Sequence, residues 1–241
     1  MTESSPDINR NLEQIRARIC RAATAAGRDP QEVRLIAVSK YMPAEFVRQA
    51  IRSGQTDFGE NTLQDAMGKM HAITDPQVEW HFIGHLQSNK ARLVPGHFRW
   101  LHTLDSFKLA RKLSAAWCDT QSTLQVLVQV NIANDPRKYG LDPAEATAFV
   151  AELLQLELPG ICLRGLMTIG REQATPEERR HDFRALRQLR DEVATRLRLD
   201  IETFSELSMG MSDDFEIAIA EGATMVRVGS LIFGPRPTTP A

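Results

Sequence analysis

Val33-Arg34-Leu35-Ile36-Ala37-Val38-Ser39-Lys40 is an apolar, partly β-branched run that closes on a charge. Such a run reads as a buried parallel strand. Side chains alternate along a strand, so Ile36, Val38 and Lys40 share one face. If that face meets a core, the ammonium is delivered to the core's rim. The carboxyl ends of strands are where α/β folds place their ligand sites. A lysine held half out of water there is drawn toward the neutral amine, which attacks carbonyls. The segment alone also fits a strand that ends in a solvated lysine.

Outward from that strand the chain alternates strand and helix patterns. An amphipathic helix precedes it, over about 8–26, with Ile8, Leu12, Ile15 and Ile19 at helical spacing and Gly27 as a stop. After Pro43 come a helix to Ser53, a short strand Thr56 to Gly59 and a helix near Thr62 to Ala72. Glu79 to Ile83 and Trp100 to Leu104 read as strands three and four, with a short helix over Ser88 to Leu93 between them. A helix to Trp117 follows strand four. Leu124 to Val130 is strand five, and Asp142-Pro143 opens a helix to about Leu156. Leu163 to Ile169 is strand six, and Thr175 caps a long helix to about Leu197. Thr203 to Leu207 and Met225 to Val228 are strands seven and eight, with a helix from Ser212 to near Gly222 between them. Gly229 to Gly234 turns the chain away. Eight such strands without a Pro- or Gly-rich linker predict one α/β domain over 1–241, a (β/α)8 TIM barrel with an extra N-terminal helix. An open doubly wound sheet is the alternative. The extra helix either closes the bottom of the barrel or flanks it.

Composition agrees with that class. At 241 residues the chain matches a barrel of roughly 250. Its 29 basic and 31 acidic side chains, a formal net charge of −2, are dispersed, so no nucleic-acid footprint is expected. Cys20, Cys118 and Cys162 are too few and too far apart for a disulfide framework or a zinc site. The start, Met1 to Asp7, has no apolar signal region, and no run is long enough to span a membrane. A reducing cytoplasm is the expected location.

In a barrel, the loops after strands seven and eight commonly bind phosphate. Here they read Leu207-Ser208-Met209-Gly210-Met211-Ser212 and Val228-Gly229-Ser230. Glycine lets the backbone approach a ligand, and Ser208 and Ser230 add hydroxyl donors. Asp213 and Asp214 would repel a phosphate unless turned outward. Arg227 shares a strand face with Gly229 and projects just inside this loop. It needs a partner, either a barrel acid such as Glu206 or a ligand acceptor. A Schiff-base lysine, a phosphate cradle and an arginine between them could embrace a phosphorylated aromatic aldehyde, which describes pyridoxal 5′-phosphate. An arginine at the pyridine nitrogen leaves that nitrogen unprotonated and weakens the electron sink.

Several stretches together carry a family resemblance. They are Leu35 to Lys40, Phe58-Gly59-Glu60-Asn61, Trp80 to Lys90, Gly165-Leu166-Met167-Thr168, Leu207 to Phe215 and Val226 to Gly234. In these the chain resembles the YggS/PROSC group of pyridoxal phosphate homeostasis proteins, related to the N-terminal barrel of alanine racemase. The resemblance implies an alanine racemase N-terminal domain-like barrel that holds pyridoxal 5′-phosphate. It implies Lys40 as the aldimine lysine, Arg227 at the ring nitrogen, Ser208, Gly229 and Ser230 at the phosphate, and Met209 as a further cofactor contact. Asn61 is read as a cofactor contact or a helix cap, and His85 as a ligand contact or a structural histidine. Met167 is read as a ring-face contact or a core residue. The family's lysine in the strand-five loop matches Lys138, although Pro136-Arg137 makes this loop particular to the chain.

A racemase needs acid/base groups on both faces of the substrate carbon. In the related racemases the second base is a tyrosine from a C-terminal domain, and this chain runs only to Ala241. Tyr41 and Tyr139 are its only tyrosines, and neither is placed as a second base. The expectation is therefore a cofactor carrier or buffer, not an enzyme, with pyridoxal phosphate-dependent apoenzymes as acceptors. It would act as a monomer or a weak homodimer. A small racemase or lyase with the same cofactor, and a cofactor-free Schiff-base aldolase, remain as the alternatives.

Overall fold

The computed structural model describes residues 6–117, 122–171, 173–200 and 202–235. Cys118, the first five residues and the stretch after 235 lie outside the described residues. Eight parallel strands close into a barrel in sequence order. They are β1 (Arg34–Val38), β2 (Asp57–Glu60), β3 (Glu79–Phe82), β4 (Trp100–Leu104), β5 (Leu124–Gln129), β6 (Ile161–Met167), β7 (Glu206–Ser208) and β8 (Met225–Val228). Pairing of Leu35 with Val226 and of Ile36 with Arg227 seals β1 to β8. The predicted (β/α)8 barrel is thus the observed fold, and the open sheet is excluded.

Helices surround the barrel: α1 (Ile8–Ala25), α2 (Ala44–Arg52), α3 (Leu63–Ala72), α4 (Phe107–Trp117), α5 (Ala146–Gln155), α6 (Pro176–Leu197), α7 (Phe215–Ala220) and α8 (Ser230–Phe233). α1 flanks the wall. Its buried stripe of Ile8, Leu12, Ile15, Ile19 and Ala23 packs on α2, α7 and α8. Arg18 clasps Glu216 at 2.7 and 2.9 Å, and the Asn11 side chain donates to the Ile232 carbonyl at 2.8 Å. The extra helix therefore braces the seam where β8 meets β1, immediately behind the loops that bear Lys40 and Gly229.

Several boundaries differ from the sequence reading for local reasons. β6 begins at Ile161, because it must start level with Leu124 of β5. β7 is confined to Glu206–Ser208. The Asp200 carboxylate accepts from the Glu202 amide, and its carbonyl accepts from Thr203 and Phe204, which holds 202–204 in a turn ahead of the strand. α7 starts at Phe215, because the Asp214 carboxylate accepts the Met211 amide at 2.7 Å and holds 211–214 as a loop. The segment from Asp142 opens as a 3-10 turn over Pro143–Glu145 before α5, and the expected turn from Gly229 to Gly234 contains α8.

Two cores result. The larger lies between strands and helices, and a small one fills the barrel with Ile36, Trp100, Leu127, Met167 and Met225. The rest of the interior is polar, holding His81, His102, Ser208 and Arg227, all buried. Branched aliphatics usually dominate this space in such barrels. None of the described helices is long and apolar enough to cross a membrane.

Gly165 in β6 lies against β7 with no room for a side chain. Its φ is +154°, and a Cβ there would lie 2.0 Å from the Glu206 carbonyl oxygen on β7. Gly165→Ala is expected to destabilise the barrel by about 2 kcal/mol or more through strain and overpacking. That loss would lower the midpoint of a thermal melt by about 4–8 °C. An unchanged midpoint would mean that β7 can shift to make room.

Candidate functional site

Lys40 follows β1 by two residues, and the chain around it is fixed on every side. The Ser39 amide donates to the Gly59 carbonyl of β2 at 3.1 Å. The Ser39 hydroxyl donates to Glu60 Oε1 at 2.6 Å, and the Ser39 carbonyl accepts Lys69 Nζ at 2.6 Å. Lys69 Nζ also reaches Glu60 Oε1 at 2.8 Å and Asp65 Oδ2 at 3.0 Å. Asp65 in turn accepts the amide of Tyr41, which adopts φ +64°. A left-handed tyrosine is uncommon, and here a carboxylate holds it there. The net effect is a clamp from β2 and α3 that turns the chain sharply as it passes Lys40.

On the adjoining strand β8, where it pairs with Ile36 of β1, Arg227 is only 4% exposed. One terminal nitrogen donates to Ser208 Oγ at 2.6 Å and the other to the Thr168 carbonyl at 2.8 Å. Burial pulls its pKa down to about 10, so it remains a cation at neutral pH. Glu206 is not its partner: that carboxylate accepts the Thr224 hydroxyl.

Lys40 and Arg227 line one cavity of about 310 Å³ at the carboxyl ends of β1 and β8. It is lined by apolar Val38, Met42 and Ile83 and by Ser212, Gly229 and Ser230. The Gly229 amide lies 3.4 Å from Ser212 Oγ, which ties the two loops together. α8 starts at Ser230, so the first amides of that turn have no intrahelical acceptor. Asp214 does not disturb this end: Arg179 binds it at 2.7 Å, away from the cavity. Asp213 is exposed and lines the rim.

The structure therefore brings Lys40, Arg227, Gly229 and Ser230 together. Ser208 is fully buried below them, its hydroxyl engaged by Arg227 and by His102 Nδ1 at 2.8 Å, so it meets the cavity only through Arg227. That differs from the hydroxyl donor to phosphate expected from sequence. Ser212, four residues further along the same loop, lines the cavity instead. Met209 is adjacent to Ser208 and so points the other way, into the core between strands and helices. Met167 belongs to the small core inside the barrel. Asn61 and His85 line a neighbouring cavity of about 490 Å³. There His85 stacks on Tyr139 with ring centroids 3.8 Å apart. Lys138 donates to the Gly170 carbonyl at 2.7 Å and pins the strand-five loop to the loop after β6.

Sequence reasoning passed over the clamp residues Glu60 and Lys69 and the interior residues His81 and His102. Alternation along β3 and β4 turns His81 and His102 inward, and that period was the available signal.

Residues 10–237 match the family model for the alanine racemase N-terminal domain. The chain belongs to that family. Within it, the chain is 45% identical over 229 residues to the pyridoxal phosphate homeostasis protein of Pseudomonas aeruginosa, covering 95% of this chain and 96% of that one. It is 44% identical over 233 residues to the protein of the same name from Escherichia coli strain K12, covering 95% and 97%. Among solved structures, PipY of Synechococcus elongatus with pyridoxal phosphate bound superposes with a TM-score of 0.82. That pair is 38% identical, covering 95% of this chain and all of PipY. Alanine racemase from Corynebacterium glutamicum shares the fold at a TM-score of 0.65 and 19% identity, and the match covers 63% of that longer chain.

The clamp has a titration of its own. Burial pushes the Glu60 carboxyl up to about 7, against the pull of Lys69 and Ser39, and Oε2 has no hydrogen-bond partner among the described residues. The folded protein therefore binds a proton that the unfolded chain releases above its ordinary value of 4.5. This stabilisation is full below about 4.5 and is lost as the pH rises through about 7. Denaturant unfolding across that window should show wild-type stability falling relative to Glu60→Gln. Parallel profiles for the two proteins would show that Glu60 ionises normally.

Proposed function

We propose that this protein binds pyridoxal 5′-phosphate in the cavity between Lys40 and Arg227 and acts as a carrier that buffers the cofactor. The observation that carries the reading is the joint placement of an amine, a buried guanidinium and two glycine- and serine-bearing loops around one apolar slot. When bound, pyridoxal phosphate supplies an aldehyde that condenses with a lysine amine. Lys40 is the amine at the cavity. Arg227 offers N–H groups to a ring acceptor and has no acceptor of its own to offer. Ser212, Ser230 and the amides at the start of α8 face the anionic end. Val38, Met42 and Ile83 cover the ring faces and exclude water from them. The pyridoxal phosphate seen in PipY, at 38% identity over nearly the whole chain, supports the same ligand here.

The carrier reading, as opposed to an enzyme, is supported by what the cavity contains. Its titratable lining residues are Lys40, Asp213 and Arg227, and Asp213 stands beside Ser212 at the phosphate end. Tyr41 and Tyr139 are 52% and 59% exposed, and neither lines this cavity. Stereochemical inversion needs a base on each face of the reacting carbon, and among the described residues that line the cavity Lys40 is the one placed to serve as a base. The names of the relatives, which describe homeostasis, agree with this reading. Acceptors for the released cofactor would be apoenzymes that depend on it.

Titration of the protein with pyridoxal phosphate should turn it yellow. Borohydride should then fix the label on the peptide containing Lys40. Lys40→Ala should lose the visible band and bind the cofactor more weakly, but not lose it, because Arg227 and the two loops remain. Holoprotein offered a panel of L- and D-amino acids should turn over at well below about 1 per second, the low end of ordinary enzymes. Protein that stays colourless would end the cofactor reading, and turnover at an ordinary enzyme rate would end the carrier reading.

A further inference from the structure

A row of polar side chains crosses the barrel interior beneath the cavity. It begins at Asp57, the first residue of β2, and passes through His81 on β3, His102 on β4 and Ser208 on β7 to Arg227 on β8. Asp57 Oδ1 lies 3.1 Å from His81 Nε2, and His81 Nδ1 lies 3.0 Å from His102 Nε2. His102 Nδ1 is 2.8 Å from Ser208 Oγ, which accepts from Arg227 at 2.6 Å. Both histidines are fully buried. The His81 ring lies flat against Trp100, with 5° between the planes, which sets its orientation.

The carboxylate end of the row fixes its direction when both imidazoles are neutral. An ionised carboxylate can only accept, so His81 must present Nε2–H to Asp57 and Nδ1 as an acceptor to His102. His102 Nδ1 is then left as an acceptor and takes the Ser208 proton, while the Ser208 oxygen accepts from Arg227. His102 Nε2–H then donates to His81 Nδ1, and His81 Nε2–H donates to Asp57. The opposite order would set an imidazole lone pair against the Asp57 carboxylate. An extra proton would charge an imidazole in a space already holding the Arg227 and Arg34 cations. Burial lowers the pKa of both histidines, and for His102 the charges of His81, Arg227 and Arg34 lower it further. Burial alone would raise Asp57, but His81 and Arg34 hold its carboxyl below the usual range.

A metal at Asp57, Glu79 and His81 is the competing use of these groups, since their ligand atoms lie within 4.8 Å of one another. Arg34 NH1 already sits 3.4 Å from both carboxylates, so a cation fills that position.

We propose that Asp57, His81, His102 and Ser208 form a positioning chain that locks one edge of Arg227 and so aims its remaining N–H groups at the ring nitrogen of the bound cofactor. The proposal rests on pyridoxal phosphate being the ligand. Every proton in the chain is committed to a hydrogen bond, so the chain holds Arg227 in place and delivers no proton to the ring. It also accounts for a polar barrel interior where branched aliphatics are usual.

The first test needs no variant and no ligand. Nitrogen-15 NMR of the full chain at about pH 7, with His81→Gln and His102→Gln used only for assignment, should show both imidazoles neutral and protonated on Nε2. An imidazolium, or an Nδ1–H tautomer at either site, would overturn the chain. The second test is Asp57→Asn, whose amide can donate or accept and so releases the fixed direction. The dissociation constant for pyridoxal phosphate should rise about threefold to tenfold, the fold-change of one hydrogen bond, and the visible band should move. Ser208→Ala, which cuts the chain next to Arg227, serves the same purpose if Asp57→Asn does not fold. A folded variant with wild-type affinity and an unmoved band would overturn the positioning role. Wild-type protein without a visible band would instead sink the ligand reading, and the tautomers of the unliganded chain would separate that failure from failure of the chain itself.

Discussion

A guanidinium buried in a barrel cannot shed its charge, and much of this interior is arranged around that constraint. Arg227 is sealed into β8 at 4% exposure. Burying an unpaired cation would cost several kcal/mol, so acceptors must surround it. Ser208 and the Thr168 carbonyl supply two of them from β7 and from the residue after β6. Ser208 in turn needs a place for its own proton, which brings in His102, then His81, then Asp57. The polar interior follows from that sequence of demands. What remains of the guanidinium lines the cavity beside Lys40.

The second constraint acts on Lys40 from behind. A strand end is not in itself a rigid support, and a lysine has several rotatable bonds. The Glu60–Lys69 pair, both members buried, grips the carbonyl and hydroxyl of the preceding serine, and Asp65 holds the following amide. Removing Lys69 would leave the buried Glu60 carboxyl without its cation, so the pair is costly to break from that side even when it contributes little net stability. Their use here is geometric. The lysine leaves the barrel rim in one direction, toward a slot walled by Val38, Met42 and Ile83.

The strands were legible because a β-branched run followed by a glycine or a cap carries its own period. Trp100–Leu104 and Met225–Val228 have the bounds that the sequence predicts. The misplaced edges, at β6, β7 and α7, were decided by register with a neighbour strand or by an aspartate turning the chain locally, and neither shows in a period. At the site, residues with an outlying chemical type at a strand end were legible: Lys40, Arg227, Gly229 and Ser230. Ser208 was legible as a position and not as a partner, because a hydroxyl serves a phosphate or an arginine equally well. Asn61 and His85 belong to sequence blocks that carry the family resemblance, yet they face the neighbouring cavity. His81 and His102 escaped notice because each is a lone histidine in its strand, and only the register of β3 on β4 puts them 3.0 Å apart.

In the proposed complex one cavity holds a single ligand, by Lys40 at one end, Arg227 at the ring and the two loops at the phosphate. A crystal structure of the protein grown with pyridoxal phosphate tests this most directly. The density should be continuous with Lys40 Nζ, with a ring nitrogen within hydrogen-bond distance of Arg227 and a phosphate against Ser212, Gly229 and Ser230. A cofactor seated with its phosphate beside Asn61 and His85, or with its ring nitrogen turned away from Arg227, would contradict it.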